Sequence, residues 1–390
     1  MDFESAVEYL KSFQSFEDKE LRRVDYYRFG LGRVRCFLRD YEVDYHKTKF
    51  VHVAGSKGKG SVSTMVAEYL SAMGRKTGLF TSPYFIDVTE SFWVDGVTIS
   101  KKEFVLMVED LKKYIDGVGE CALTYFELLT VLVLKYFSEK KVKYAVMEVG
   151  LGGRKDPTNV IHPEVAVLCR VENEHAAILG DSVGEILGEK MGIIKEGVSV
   201  VVGHQSEEVL RLVKRRLVTW EWPVVYVDGA VSGVGGGQVQ RENAAVARAV
   251  LRMILGDLDL EFFGNVMKGL KLVGRFDARK IKGKTVVFDM AHTVASMQNL
   301  VDTLGGEFEG RELVFLLSFM KDKDVEAMVN IVEEVAGKVV YVNSHEERGV
   351  DYGIDGLEAF NKELKELKKD QVLVVTGSHF LVGKILKNLL

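Results

Sequence analysis

Cysteine is scarce in this chain: of 390 residues, only Cys36, Cys121 and Cys169 carry a thiol. An odd number without C-x-x-C spacing argues against a disulfide framework and a thiolate zinc site, and fits a reducing compartment. Long apolar runs are missing too. Leu128–Leu134 is among the longest, far short of the ~20 residues that a membrane-spanning helix needs. Met1–Ser5 shows neither the basic start nor the apolar stretch of a signal peptide, so a cytoplasmic protein with no membrane partner is expected. Nor is there an excess of positive charge. Fifty-two Lys and Arg against 57 Asp and Glu leave a net charge of −5. That gives no global field to draw in a phosphate backbone, so nucleic acid is not an expected partner.

What is present is the composition of a folded protein. Apolar residues make up 47% and charged residues 28%, both near the averages for globular chains, which argues against wholesale disorder and against fibrous classes. The length is enough for two or three domains with separate cores.

Apolar residues recur at helical spacing over Phe3–Phe13 and Leu31–Asp40. The period then changes: Phe50–Val53 is a β-prone run that ends in Gly55-Ser56-Lys57-Gly58-Lys59-Gly60-Ser61, after which a helical pattern runs to about Met73. Further β-prone runs at Thr77–Phe80, Tyr144–Val149, Val165–Val171, Ser199–Val202 and Val224–Val227 alternate with helical patterns. Such alternation predicts a mainly parallel sheet covered by helices. A glycine-rich loop, Gly229–Gly237, precedes a helical segment from Arg241 to about Ile254, and the alternation lapses around Gly264–Asp277. A new series then begins with strands expected at Lys284–Met290, Leu313–Leu317, Val339–Val342 and Val372–Val375. The expectation is an α/β chain of two domains, residues 1–273 with the glycine loop and a smaller α/β domain over 274–390.

The heptad Gly55–Ser61 is a compressed relative of a phosphate-binding loop. Its glycines let backbone N–H groups converge on phosphate oxygens, Lys59 supplies a mobile charge, and the following helix adds the positive end of its dipole. Ser61 stands where a hydroxyl can reach Mg²⁺ or phosphate. An ordinary strand-to-helix turn is the bland alternative, and the strand before the loop and the helix after it weigh against that. A second cluster, Glu148–Asn159, follows the strand at Tyr144–Val149; a carboxylate at the end of a parallel strand lies at the ligand-binding edge and suits Mg²⁺. His175 and Lys190 read, by themselves, as ordinary surface and helix residues.

Taken together, these segments resemble the folylpolyglutamate synthase and dihydrofolate synthase family, a branch of the Mur ligase superfamily. Gly55–Ser61 is similar to its G-T-N-G-K-G-S loop, Thr81-Ser82-Pro83 to T-S-P-H, Leu123–Glu127 to L-T-x-F-E, and Glu148–Asn159 to E-V-G-L-G-G-R-x-D-x-T-N. Glu174–Asp181 resembles D-H-x-x-x-L-G-D and Glu189–Lys195 resembles E-K-A-G-I-I-K, followed by Gln240–Ala245, Gly274–Phe276, Asp289–His292 and Val375–Ser378. The motifs keep the family's order across about Gly30 to Gly383. Departures are Lys57 for Asn, Tyr84 for His, Glu174 for Asp, Val273 before Gly-Arg, and Thr293-Val294 in place of Asn-Pro.

The resemblance implies a Mur-ligase-like P-loop nucleotide-binding domain with a Rossmann-like C-terminal domain, acting as an ATP-dependent ligase. ATP would phosphorylate a folate or dihydropteroate carboxylate, and L-glutamate would attack the acyl phosphate. By the same resemblance Gly58, Lys59, Gly60 and Ser61 would cradle phosphates, Asn243 would meet adenine, Asp289 ribose and Arg275 the phosphates, with His292 nearby. Ser82, Glu148 and His175 would be Mg²⁺ ligands, joined by Lys190 if it is carbamylated to N6-carboxylysine. Thr124, Tyr125, Phe126, Arg154 and Asp156 match segments that hold the pteroate moiety. A monomer is expected. A Mur-type ligase acting on a muropeptide precursor and a non-catalytic nucleotide-binding regulator are the alternatives; the first sits badly with Leu123–Glu127, and the second needs neither Glu148 nor His175.

Overall fold

The computed structural model describes residues 1–13, 30–119, 121–343 and 349–389. Two compact units emerge: Met1–Tyr84 with Val88–Val231 and Glu242–Lys268, and Phe85–Asp87 with Ser232–Arg241 and Gly269–Leu390.

The first unit is built on an eight-stranded sheet. Its strands are β1 (Lys49–Ala54), β2 (Thr77–Phe80), β3 (Trp93–Val94), β4 (Val97–Thr98), β5 (Tyr144–Glu148), β6 (Pro163–Leu168), β7 (Ser199–Val202) and β8 (Val224–Tyr226), in the order β4-β3-β2-β5-β1-β6-β7-β8. From β2 to β8 every pairing is parallel. The strands nearest the centre are buried on both faces, which is why they read as continuous apolar runs rather than alternating ones. The short hairpin β3–β4 pairs antiparallel at one edge and left no periodic signal in so few residues.

Helices are placed by local chemistry. Thr124 and Glu127 form a capping box that starts the helix Tyr125–Glu139, and the apolar run Leu128–Leu134 is buried along its whole length. Ser100 caps the helix Lys101–Val118, which ends at Gly119 with φ +83°. No helix among the described residues is long and apolar enough to cross a membrane.

The second unit has a five-stranded sheet of β9 (Asp277–Ile281), β10 (Lys284–Phe288), β11 (Glu312–Leu317), β12 (Ala336–Tyr341) and β13 (Gln371–Thr376), ordered β12-β11-β13-β10-β9. Period-two alternation divides its side chains between two cores: Val286, Phe288, Val314, Leu316, Leu373 and Val375 on one face, Val287, Phe315, Leu317, Val372 and Val374 on the other. The lapse over Gly264–Asp277 resolves into the end of a helix, Leu260–Gly269, and the start of β9. That strand pairs antiparallel with β10; its Asp-Ala-Arg-Lys-Ile sequence is too polar to read as a strand. The helix expected from Arg241 begins four residues earlier, at Gly237.

Candidate active site

The carboxyl ends of β1, β5 and β6 gather most of the candidate residues of the first unit. β1 ends at Ala54, and Gly55–Gly58 turns into the helix Lys59–Ala72. Gly58 has φ +87°, and a Cβ there would stand 2.5 Å from Asn243 Oδ1, so both conformation and crowding demand glycine. The loop is tied to the chain beyond β6: Ser56 and Lys57 N–H groups donate to Arg170 O at 2.7 and 3.1 Å, and Ser56 Oγ donates to Glu172 O at 3.1 Å. Lys59 Nζ folds back onto Gly55 O at 3.0 Å. Ser61 is 1% exposed, and its hydroxyl has no hydrogen-bond partner among the described residues.

Lys190, at the end of the helix Val183–Lys190, is 2% exposed. Its Nζ donates to Gly55 O at 2.8 Å and lies 3.7 Å from Glu174 Oε1. Burial first, and then the neighbouring Lys59 ammonium, pull its pKa down to about 7 despite Glu174. Glu174 also pairs with Lys57 Nζ, at 3.4 Å. Burial alone would raise the Glu174 carboxyl, but Lys59, Lys190 and Lys57 outweigh it and hold it below the usual value. Two residues that depart from the family pattern, Lys57 and Glu174, are thus partners. No spacing rule joins positions so far apart, and sequence reading missed the pair.

Glu148 terminates β5, is 3% exposed, and accepts a hydrogen bond from the Ser82 backbone N–H at 3.1 Å. His175 opens a short helix in a left-handed conformation, φ 54°. Among the described residues no three His, Cys, Asp or Glu side chains gather into a metal cage. Mg²⁺ needs none: it is commonly held by one or two carboxylates plus water and phosphate oxygens. A buried carboxylate at Glu148 and an unpartnered buried hydroxyl at Ser61 fit such a donor set.

The pteroate-side candidates divide. Thr124 is committed to its cap, and its backbone N–H donates to Glu127 Oε2 at 2.7 Å. Asp156 is buried, accepting from the N–H groups of Leu151 and Thr158, both at 2.9 Å, and from the Thr158 hydroxyl. Tyr125 and Phe126 remain partly exposed. The Tyr125 hydroxyl is 3.4 Å from that of Tyr84, and the Phe126 ring lies so close to Gly150 that a Cβ there would approach within 2.6 Å. Arg154 turns elsewhere, donating to Gly188 O at 3.0 Å and standing 3.5 Å from Glu189.

In the second unit Arg275 lies between Gly274 and Phe276, both at positive φ. Asp289 accepts from the Phe276 N–H at 2.7 Å and the Ala291 N–H at 2.8 Å; burial nonetheless pushes its pKa up to about 6. His292 Nδ1 is 2.8 Å from Met290 O, which requires the proton on that nitrogen.

Comparison with known proteins places this geometry. The Mur ligase middle domain matches residues 53–219, and the Mur ligase glutamate ligase domain matches 274–379. A dihydrofolate synthase/folylpolyglutamate synthase of Mycobacterium tuberculosis is 32% identical over 348 residues, 77% of this chain and 71% of that protein. The chain belongs to the folylpolyglutamate synthase and dihydrofolate synthase family. The enzyme of that name from Bacillus subtilis is 26% identical over 408 residues, covering 92% of this chain and 95% of its own length. The structure of Mycobacterium tuberculosis folylpolyglutamate synthase complexed with ADP superposes with a TM-score of 0.84 at 26% identity, over 98% of both chains. The expected fold, a P-loop α/β unit with a smaller α/β unit, is the fold of this Mur-type ligase family.

Proposed function

We propose that this chain is an ATP-dependent carboxylate–amine ligase that joins L-glutamate to the carboxylate of a folate, and of dihydropteroate as well. The carrying observation is the cradle at the end of β1. Lys59 and Lys190 both donate to Gly55 O, the Ser61 hydroxyl is buried with no hydrogen-bond partner among the described residues, and Glu148 ends the adjacent strand. That combination suits a polyphosphate better than any neutral ligand.

The chemistry follows from the electrophile. A carboxylate is a poor acyl donor, so its oxygen first attacks the γ-phosphorus of ATP and expels ADP. The glutamate amine then attacks the acyl carbon; its proton is lost, the C–O bond breaks and inorganic phosphate leaves. Positioning and charge stabilisation do most of the work in such transfers. We assign phosphate contacts to Gly58, Lys59, Gly60, Ser61 and Arg275, adenine contact to Asn243, and a nucleotide role to Asp289 and His292. Bound Mg²⁺ would neutralise charge on the phosphoryl oxygens, held through Glu148 with Ser82 and His175. Lys190 carbamylated to N6-carboxylysine would add a second anionic oxygen donor, and its pKa of about 7 supports this, because only the neutral amine attacks CO₂.

On the folate side, Tyr125 and Phe126 offer ring surface, while Thr124 and Asp156 frame it, their oxygens already engaged. Arg154 belongs to the same segment. We assign nucleotide binding to residues 1–273 and the glutamate ligase domain to 274–390, and we infer a cytoplasmic monomer.

The test is phosphate release from ATP together with incorporation of labelled glutamate, with dihydropteroate, tetrahydrofolate or a UDP-sugar peptide as acceptor. Glutamate-dependent turnover with a pteroate-type acceptor is expected. Turnover with the UDP-sugar peptide alone would make the chain a muropeptide ligase, and ATP binding without any ligation would make it a regulator.

A further inference from the structure

The helix Leu31–Asp40 packs against both pteroate-side segments, the helix Tyr125–Glu139 and the 3₁₀ turn Pro157–Val160. From that helix, Arg33 reaches across to the start of Tyr125–Glu139. Its Nε donates to Glu127 Oε1 at 2.8 Å, its Nη2 to Glu127 Oε2 at 2.6 Å and its Nη1 to Ala122 O at 3.0 Å. Glu127 is 4% exposed, and the same Oε2 also accepts from the Thr124 backbone N–H at 2.7 Å and the Thr124 hydroxyl at 2.9 Å.

A capping box needs only the side chains and backbone N–H groups of Thr124 and Glu127. Here a planar fork has been added, satisfying a buried carboxylate bidentately while holding a carbonyl five residues upstream. One guanidinium therefore fixes both ends of the stretch from Ala122 to Glu127. Between those ends lie Leu123 and Thr124, which are buried, and Tyr125 and Phe126, which are not. The fork thus governs where the two half-buried rings stand.

We propose that Arg33 is a positioning residue for the pteroate-type substrate: through Glu127 it holds Tyr125 and Phe126 in place for an aromatic heterocycle, without touching the nucleotide site. The proposal rests on the function proposed above. It predicts a selective effect. Loss of the fork weakens binding of the pteroate-type substrate and leaves ATP handling alone, since the three hydrogen bonds of the fork go to Glu127 and Ala122 rather than to Gly55–Ser61, Lys190 or Glu148.

The test uses Arg33→Lys, which keeps the charge but not the fork, and the double variant Arg33→Met with Glu127→Gln. The double variant removes the buried ion pair without stranding a charge and keeps an amide oxygen for the cap, so it stays folded where Arg33→Met alone could fail. Steady-state kinetics with each substrate varied, and equilibrium dialysis of dihydropteroate and tetrahydrofolate without ATP, give the readouts. KM for the pteroate-type substrate should rise about tenfold in the double variant and less in Arg33→Lys, with kcat and KM for ATP within about twofold, the pattern of lost uniform binding. Equal losses in kcat and in all KM values would mean a merely structural role and overturn the proposal, as would an unchanged KM for the pteroate-type substrate. If the unmutated protein neither binds nor ligates a pteroate, the proposed function fails and this inference with it. If it does both and the variants match it, only the role of Arg33 fails.

Discussion

At the scale of single residues, the most informative atom in the molecule is Lys190 Nζ. A lysine 2% exposed, donating to Gly55 O and facing Glu174, is not a solvated helix residue. Burial and Lys59 hold its pKa at about 7, so at pH 8 most of it is neutral amine, the form that adds CO₂ and loses a proton to give a carbamate. A carbamate with one negative charge shared over two oxygens would then replace an ammonium that Lys57 and Lys59 repel. Lys190→Ala should lower turnover at least about a hundredfold, a loss of the size seen when one electrostatic group is deleted from an active site. Acetate or a similar short carboxylate should restore part of it. Bicarbonate should stimulate the unmutated enzyme more at pH 8 than at pH 6.5. Full activity of the alanine variant without additive would defeat the carbamate and leave Lys190 as a spacer between Gly55 and Glu174.

At the scale of elements, strand β1 combines a legible pattern with a hidden liability. The change of period at Phe50, the glycine loop and the helix after it were readable because each is a local pattern, as was the buried helix behind Leu128–Leu134. β9 and the β3–β4 hairpin were not, since their pairing is set by neighbours rather than by their own polar or very short sequences. The same division holds in the site. Lys59, Ser61 and Glu148 stand at strand and helix ends that sequence can locate. The Lys57–Glu174 pair and the Arg33–Glu127 fork join positions about a hundred residues apart, which only the fold brings together. His52 is a further hidden feature. It lies fully buried in β1 between β5 and β6. The Thr158 hydroxyl donates to Asp156, so it accepts from His52 Nε2 at 2.8 Å, which places a proton on that nitrogen. Burial, aided by Lys195, pulls its pKa down to about 3. Below pH 6.5 the unfolded chain binds a proton here that the native chain refuses, so stability falls as pH drops from about 6.5 towards 3. Each pH unit in that window costs about 1.4 kcal/mol. His52→Gln keeps an amide for Thr158 and removes the titration. Urea unfolding of the variant should therefore lose about 3 kcal/mol less than the parent between pH 6.5 and 4. Parallel stability curves would show that His52 is protonated in the fold.

At the scale of the whole molecule, a net charge of −5 coexists with a lysine-rich loop region of the opposite sign, the proposed phosphate cradle. Lys57 and Lys190 both pair with Glu174, and Lys59 with the positive end of the helix Lys59–Ala72 stands beside them. Attraction for an anion is therefore local, focused by burial rather than spread over the surface. In the unliganded chain these cations repel one another, and Lys59 is restrained chiefly by carbonyl contacts to Gly55 and Ser56. Removing Lys59 relieves that repulsion as it deletes those bonds, so the melting temperature of unliganded Lys59→Ala should stay within about 1 °C of the parent, the change expected where opposing contributions of a few tenths of a kcal/mol cancel. The liganded protein should behave differently. ATP at a hundred times its Kd adds about 2.7 kcal/mol to the native state. Spread over the unfolding entropy of a chain this long, that raises the melting temperature by about 3 °C. Lys59→Ala should abolish this shift and ligation together, as calorimetry with and without Mg-ATP would record. An undiminished shift in the variant would move the nucleotide phosphates away from Gly55–Ser61, and a collapse of the unliganded melting temperature would make Lys59 a structural residue of the loop.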